Sequence, residues 1–325
     1  MKVCIYGAGA IGGWIGAKLA QVGCELDVVA RGATLEALQR DGLTLVSGDK
    51  RVTVPVHASD DPADLGVQQL VIVAVKAPAL PAVAERIAPL LGPDTIVLTA
   101  MNGVPWWFLQ GGFGGPVAGA RLQAVDPGGK IDAAIPAKHV VGGVVHASCS
   151  LDAPGVVRHH FGNGLIIGEP SGESTSRVQA LGELLARAGI DTRVSPQIQK
   201  DVWYKLWGNM TVNPISMLTG ATTDLILNDD LVRGLISTIM LEAKAIGERI
   251  GVPIAESPED RHAVTRKLGA FKTSMLQDVE AGRAVELDAL VSAVRELGQL
   301  AGVQTPFTDA LLGLARLRAR QLGLY

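Results

Sequence analysis

The chain reads as an α/β protein whose first part is a parallel-sheet, dinucleotide-binding domain and whose second part is all helical. Three observations predict this. A spaced glycine pattern, Gly7-x-Gly9-x-x-Gly12, lies directly after an apolar run, Val3 to Tyr6, and directly before a helical pattern. Strand-like apolar runs recur up to Val194, and those at 70–75 and 95–100 are continuous enough to be buried on both faces. After Ser195-Pro196 the periodicity becomes almost wholly helical. A boundary near 196 is expected, with one domain over 1–196 and another over 197–325.

The strand–turn–helix context gives the glycines separate tasks. One lets the chain turn sharply off the strand, one lets backbone approach a pyrophosphate, and one lets the helix sit against the sheet. Phosphates then rest at the helix N-terminus, where unpaired N–H groups and the helix dipole favour negative charge. Gly7, Ala8, Gly9, Ala10, Ile11 and Gly12 are the expected phosphate loop of a Rossmann-type domain. Two other readings compete. A secretory signal peptide is one, although glycines at 7, 9, 12, 13 and 16 make a poor apolar centre for it. A methyltransferase glycine loop is the other.

Glu25 to Ala30 reads as the second strand. An NAD-type site places Asp or Glu near its end to bind the adenosine ribose hydroxyls. Ala30-Arg31 stands there instead. A carboxylate would repel a 2′-phosphate, whereas a guanidinium binds it through paired, charge-assisted hydrogen bonds. Arg31 therefore points to NADP(H) over NAD(H), the plain alternative being a solvated loop charge. The missing acid also argues against a ribose-clamping methyltransferase.

Leu43 to Val56 alternates like a short strand pair, and Asp60 to Leu65 looks like a helix start. Leu70 to Val75 is a buried strand ending in Lys76, which by the switch-point rule faces the ligand crevice. Leu80 to Leu91 reads as helix. Thr95 to Ala100 is a second buried strand, and it delivers Asn102-Gly103 to the same edge. Asn102 is a neutral donor and acceptor where a nicotinamide or substrate carbonyl would lie; a turn asparagine before glycine is the simpler account. Trp106-Trp107-Phe108 stands out in a chain with 4% aromatics. These rings could form a lid or a pocket wall, or pack on their own domain or on a second subunit. His139 to Ser148, Gly155 to Phe161 and Leu165 to Gly168 read as short strands, Ser176 to Ala188 as a helix and Asp191 to Val194 as a last strand.

In the second domain, Asp201 to Leu218 carries Lys205, Asn209 and Asn213 at i, i+4 and i+8. That spacing aligns three polar groups on one side of a helix otherwise rich in Val, Trp, Leu and Met. Such groups are costly to bury without partners or a task; a partly solvated stripe is the alternative. Pro214 is expected to kink or end this helix. Leu231 to Ile250, Pro258 to Arg283, Val285 to Ala301 and the stretch after Thr305-Pro306 read as further helices. Glu286 and Asp288, taken alone, are dipole-complementing acids at a helix start.

Chain-wide properties narrow the function. A net charge of −3 gives no electrostatic reason to expect nucleic acid or an anionic membrane. No apolar stretch approaches the ~18–20 uncharged residues of a membrane span. Cys4, Cys24 and Cys149 read as buried thiols in a reducing, cytoplasmic setting. Without CxxC or HExxH spacing, and with His159 and His160 pointing to opposite faces of a strand, no metal site is expected.

Several of these pieces together resemble the ketopantoate reductase (2-dehydropantoate 2-reductase) family over nearly the whole chain. They are Gly7-Ala8-Gly9-Ala10-Ile11-Gly12, Arg31, Val75-Lys76-Ala77, Asn102-Gly103, Lys205-x3-Asn209-x3-Asn213-Pro214, Ser274-Met275-x2-Asp278 and Glu286-x-Asp288. The resemblance implies an oxidoreductase with NADPH bound between a Rossmann domain and a helical domain. It implies Lys205 as the catalytic acid, with Glu286 contacting ligand or cofactor beside it. Asn209, Asn213 and Ser274 would hold the substrate, and Asn102 and Lys76 would lie near the nicotinamide and its ribose.

Those roles suit the chemistry. Reducing a 2-keto acid requires a proton for the developing alkoxide, and a lysine ammonium supplies it while stabilising the charge. Val285 stands where the family usually has Thr, and Val291-Ser292 where it often has Asn-Gly. These departures bear on the substrate more than on the reaction. Three functions are expected from these residues: reduction of ketopantoate to pantoate in pantothenate biosynthesis, the same chemistry on another and bulkier 2-keto acid, or a non-catalytic NADP(H) sensor. The apolar stretches of the helical domain could support a homodimer.

Overall fold

The computed structural model describes all 325 residues. The chain divides into two compact units, the first made of Met1–Met101 with Lys130–Ile198 and the second of Asn102–Gly129 with Gln199–Tyr325.

The first unit is built on one mixed sheet. Its strands are β1 (Lys2–Tyr6), β2 (Glu25–Val29), β3 (Leu43–Ser47), β4 (Lys50–Val54), β5 (His57–Ser59), β6 (Gln68–Val73), β7 (Leu91–Thr99), β8 (Val140–Ala153), β9 (Val156–Gly168) and β10 (Asp191–Val194). They lie in the order β4-β3-β9-β8-β7-β6-β1-β2-β5, with β10 pairing β9. The stretch β5-β2-β1-β6-β7-β8 is parallel throughout. β1 is therefore the point where strand order reverses, the place where open α/β sheets bind ligands beyond their carboxyl ends. Helices α1 (Ala10–Ala20), α2 (Gly32–Asp41), α3 (Leu80–Arg86), α4 (Lys130–Ala134) and α5 (Ser176–Arg187) complete the unit.

Apolar patterning explains the core. Val3, Ile5, Leu70, Ile72, Leu98 and Val141 have no exposed surface, and Trp14, Ile15 and Leu19 of α1 pack with them. Fully burying each such side chain is worth roughly 1.5–3 kcal/mol. The thiols of Cys4, Cys24 and Cys149 are free. Cys4 and Cys24 are buried as expected and Cys149 is half-buried, and desolvation pushes the Cys149 thiol up to about 12.

The second unit is helical: α6 (Ile198–Thr219), α7 (Thr223–Asn228), α8 (Asp230–Ile250), α9 (Pro258–Arg266), α10 (Ser274–Glu280), α11 (Ala293–Ala301) and α12 (Pro306–Gln321), with a π-helical turn at Asp288–Ser292. Trp207 Nε1 donates to the Met240 carbonyl, fixing α6 on α8. The Glu242 carboxylate accepts from the backbone of Phe307 and Thr308, capping α12 from a neighbouring helix. No helix is long and apolar enough to cross a membrane.

Several local expectations change. The stretch 258–283 is two helices, because α9 ends at Arg266 and Thr273 caps a new start through Leu276 N–H. The strands expected at 155–161 and 165–168 are one strand, β9, whose long ladder to β8 tolerates register shifts. Within 60–65 only Pro62–Asp64 forms a 3₁₀ turn, and the helix expected to reach Leu91 stops at Arg86 before Pro89. Helices α2, α4 and α7 have no counterpart in the sequence reading. α6 passes through Pro214 and continues to Thr219.

The aromatic segment is the largest difference. Residues 102–129, assigned by sequence to the first domain, join the helices. Trp106, Trp107 and Phe108 are buried there, and Phe108 lies 5.4 Å from the Phe113 ring and 6.0 Å from the Trp203 ring. They are interior core, not a lid.

Candidate active site

Two constellations emerge, one in each unit. In the first, β1 delivers the chain to Gly7, whose φ of 98° needs a residue without a side chain. A Cβ at Gly12 would lie 2.2 Å from the Gly7 carbonyl and 2.9 Å from Ile5 Cγ2, so this glycine is what lets α1 seat on the strand. At Gly9 a Cβ would meet nothing within 4 Å. Packing therefore leaves a gap at the very position where a phosphate would approach backbone. Gly9 is also the extended N-cap of α1 with no side chain satisfying the helix N–H groups.

A cavity of about 350 Å³ opens beside this loop, lined by Gly7, Ala8, Gly9, Arg31, Thr34, Asp60, Val75 and Arg86 among others. Arg31 follows β2 after Ala30 and is the N-cap of α2. Arg31 and Arg86 both bring positive charge to Tyr6, opposing the rise in its hydroxyl pKa that burial imposes. The glycine gap, an uncapped helix N-terminus and two guanidinium groups on one cavity fit a phosphorylated dinucleotide. Sequence reading missed Arg86 and Thr34, whose only signal would have been their spacing to the glycine loop in space. Lys76 lies exposed just past β6, where its carbonyl accepts from Ala79 N–H in a short 3₁₀ turn.

The second constellation centres on α6. Lys205 Nζ donates to Asn102 Oδ1 at 2.8 Å. The next two residues, Gly103 and Val104, hold Asn102 in place. A Cβ at Gly103 would lie 2.6 Å from the Ala289 carbonyl, and Val104 N–H donates to that same carbonyl at 2.8 Å. Gly103, at φ 85°, is needed for this close approach. Ala289 belongs to the turn just after Glu286, so Asn102, Lys205 and Glu286 come together although far apart in sequence.

Electrostatics tie the group further. Burial pulls the Lys205 ammonium down to about 8, the charge of Glu286 pushes it back up, and Arg261 pulls it down. Glu286 is itself buried, which is more than a dipole-complementing surface acid requires. A lysine near 8 is mostly protonated at neutral pH yet gives its proton readily, the compromise a general acid needs. Asn213 is buried and Asn209 half-buried along the same helix. Ser274 is the first residue of α10, half-buried, just after the Thr273 cap. His159 and His160 engage different partners, Ser47 and Ser150, from β9.

Comparison with known proteins bears on both constellations. Residues 3–106 match the family model described as ketopantoate reductase PanE/ApbA, and residues 197–319 match the model of its C-terminal part. A 2-dehydropantoate 2-reductase of Mesorhizobium japonicum is 48% identical over 326 residues, covering 100% of each chain. A solved structure from Ralstonia solanacearum MolK2, given there as a candidate ketopantoate reductase, is 56% identical with a TM-score of 0.96, covering 100% of this chain and 99% of that one. A 2-dehydropantoate 2-reductase from Geobacter metallireducens GS-15 superposes at TM-score 0.85 with 28% identity, over 98% and 99% of the two chains.

Proposed function

Because the chain belongs to the ketopantoate reductase family, an NADP-dependent group of oxidoreductases, we propose that it reduces 2-dehydropantoate to pantoate with NADPH in pantothenate biosynthesis. The observation that carries this is the Lys205–Asn102 hydrogen bond at 2.8 Å, with buried Glu286 acting on the same ammonium. A pure dinucleotide binder has no use for an ammonium tuned to about 8 in this way.

When bound, NADPH supplies the hydride. Gly7 to Gly12 would hold its pyrophosphate at the start of α1, and Arg31, with Arg86 on the same cavity, would pair with the 2′-phosphate. Lys76 would lie near the nicotinamide ribose. Lys205 would donate a proton to the carbonyl oxygen as negative charge builds there. Asn102 fixes the ammonium's direction, and Glu286 keeps it charged. Asn209, Asn213 and Ser274 would hold the substrate's polar groups, since amides and hydroxyls bind without adding a competing acid.

Within the expected division at 196, the first part would serve the cofactor and residues 197–325, joined by Asn102–Gly129, would carry catalysis. We place the enzyme in the cytoplasm. A homodimer belongs to the same proposal, because Leu231 of α8 and Leu317 of α12 leave 81% and 68% of their surface exposed. Sedimentation velocity measures that state directly.

The reaction is tested by following NADPH oxidation with 2-dehydropantoate and a panel of bulkier 2-keto acids. Preference for 2-dehydropantoate is expected. Preference for a bulkier acid would keep the chemistry and change the substrate. Tight NADPH binding with turnover of no keto acid would leave only a sensor.

A further inference from the structure

We propose that Arg261 grips the substrate's carboxylate, as a specificity-determining residue additional to the polar stripe of α6. The proposal rests on the reading of this protein as a 2-keto acid reductase.

Helix α9 is fixed at two points. Ser257 and Asp260 form a reciprocal capping box at its start, and His262 Nε2 meets Ser237 Oγ of α8 at 2.8 Å. Arg261, about 100° around the helix from His262, lies instead against α6. There its Cζ sits 5.2 Å from the centre of the Tyr204 ring. Its guanidinium covers Gly208 so closely that a Cβ there would fall 2.7 Å from both Nε and Nη2. Tyr204 and Gly208 are one turn apart on the stripe of α6 next to that of Lys205, and the guanidinium's charge is felt by the Lys205 ammonium.

The charge is unbalanced. Arg261 Nε is buried with no hydrogen-bond partner. Burial pulls the guanidinium below its ordinary pKa, and only Tyr204 opposes that pull; no carboxylate does. A guanidinium in such a place is costly unless an anion completes it. Its planar fork matches a carboxylate through two parallel hydrogen bonds. A 2-keto acid carries a carboxylate directly next to its carbonyl. Anchoring the first at Arg261 presents the second to Lys205.

The test compares 2-dehydropantoate with its uncharged amide, using wild type, Arg261→Met and Arg261→Lys. Arg261→Met keeps an unbranched stem over Gly208 and Tyr204, and circular dichroism and melting confirm its fold. Calorimetry of each ligand with the NADP⁺-loaded protein gives affinity apart from turnover. Arg261→Met is expected to weaken the acid ~10- to 100-fold, the range of a charge-assisted pair, while the amide and NADPH bind as before. Arg261→Lys should fall between. Equal effects on acid and amide, or no effect on either, overturn the proposal, as does a wild type that binds no 2-keto acid. A wild type that binds the acid through Arg261 without reducing it would refute the reductase reading and leave the carboxylate site supported.

Discussion

Lys205 Nζ and Asn102 Oδ1 stand 2.8 Å apart, joining residues 103 positions distant along the chain. That bond gives the ammonium one fixed direction, while burial and Arg261 lower its pKa to about 8 and Glu286 works against them.

If Lys205 is the proton donor, Lys205→Ala should lower kcat by roughly 10²–10⁴ with NADPH affinity nearly unchanged. Its pKa also sets a pH profile. The reduction needs the protonated lysine, so kcat should fall as pH rises through about 8. Glu286→Gln removes the group that raises this pKa and should move the fall to lower pH; Arg261→Met should move it higher. Profiles of kcat between pH 6 and 10 for the three proteins read the order directly, and coincident profiles would remove Lys205 from the role.

The glycine loop separates structure from binding. Gly12→Ala forces a Cβ to within 2.2 Å of the Gly7 carbonyl, an overpacking expected to cost about 1–3 kcal/mol or more. Gly9→Ala meets no atom within 4 Å, so its melting temperature should stay near wild type while dinucleotide affinity drops. Thermal melts paired with NADPH titrations distinguish the two.

Arg31→Ala should weaken NADPH ~10- to 100-fold through loss of charge-assisted bonds to the 2′-phosphate, with little change for NADH. Fluorescence titration of both cofactors measures the ratio. Equal weakening would place Arg31 away from the phosphate.

Phe108 has no exposed surface and packs on Phe113 and Trp203. Phe108→Ala should therefore cost about 3–5 kcal/mol of stability, as for other buried aromatic truncations. Chemical denaturation measures it. A ring acting as a lid would change KM and leave stability nearly untouched.

Much of the fold was legible because its signals are local. A β-strand buried on both faces announces itself as an apolar run, and the reversal of strand order at β1 agrees with which run carries the glycines. The errors came where local pattern is weak. Residues 258–283 contain no proline after Pro258 to mark the break between α9 and α10, and Thr273 as a cap looks like any helical threonine. Pro214 does not end α6, which runs on to Thr219 much as the apolar pattern to Leu218 predicts, since helix packing outweighs one lost hydrogen bond.

By itself the sequence determined the glycine loop, the arginine that replaces an acid after β2, and the alignment of Lys205, Asn209 and Asn213, because spacing of 3.6 and 2 residues translates directly into faces. Only tertiary structure decided that Trp106, Trp107 and Phe108 fill the helical core, that Asn102 and Glu286 act on Lys205, and that Arg261 lies over Gly208. Those relations join residues tens of positions apart, and no periodicity records them. They exist because packed helices bring particular side chains within a few ångströms, where burial and charge become strong enough to set a pKa.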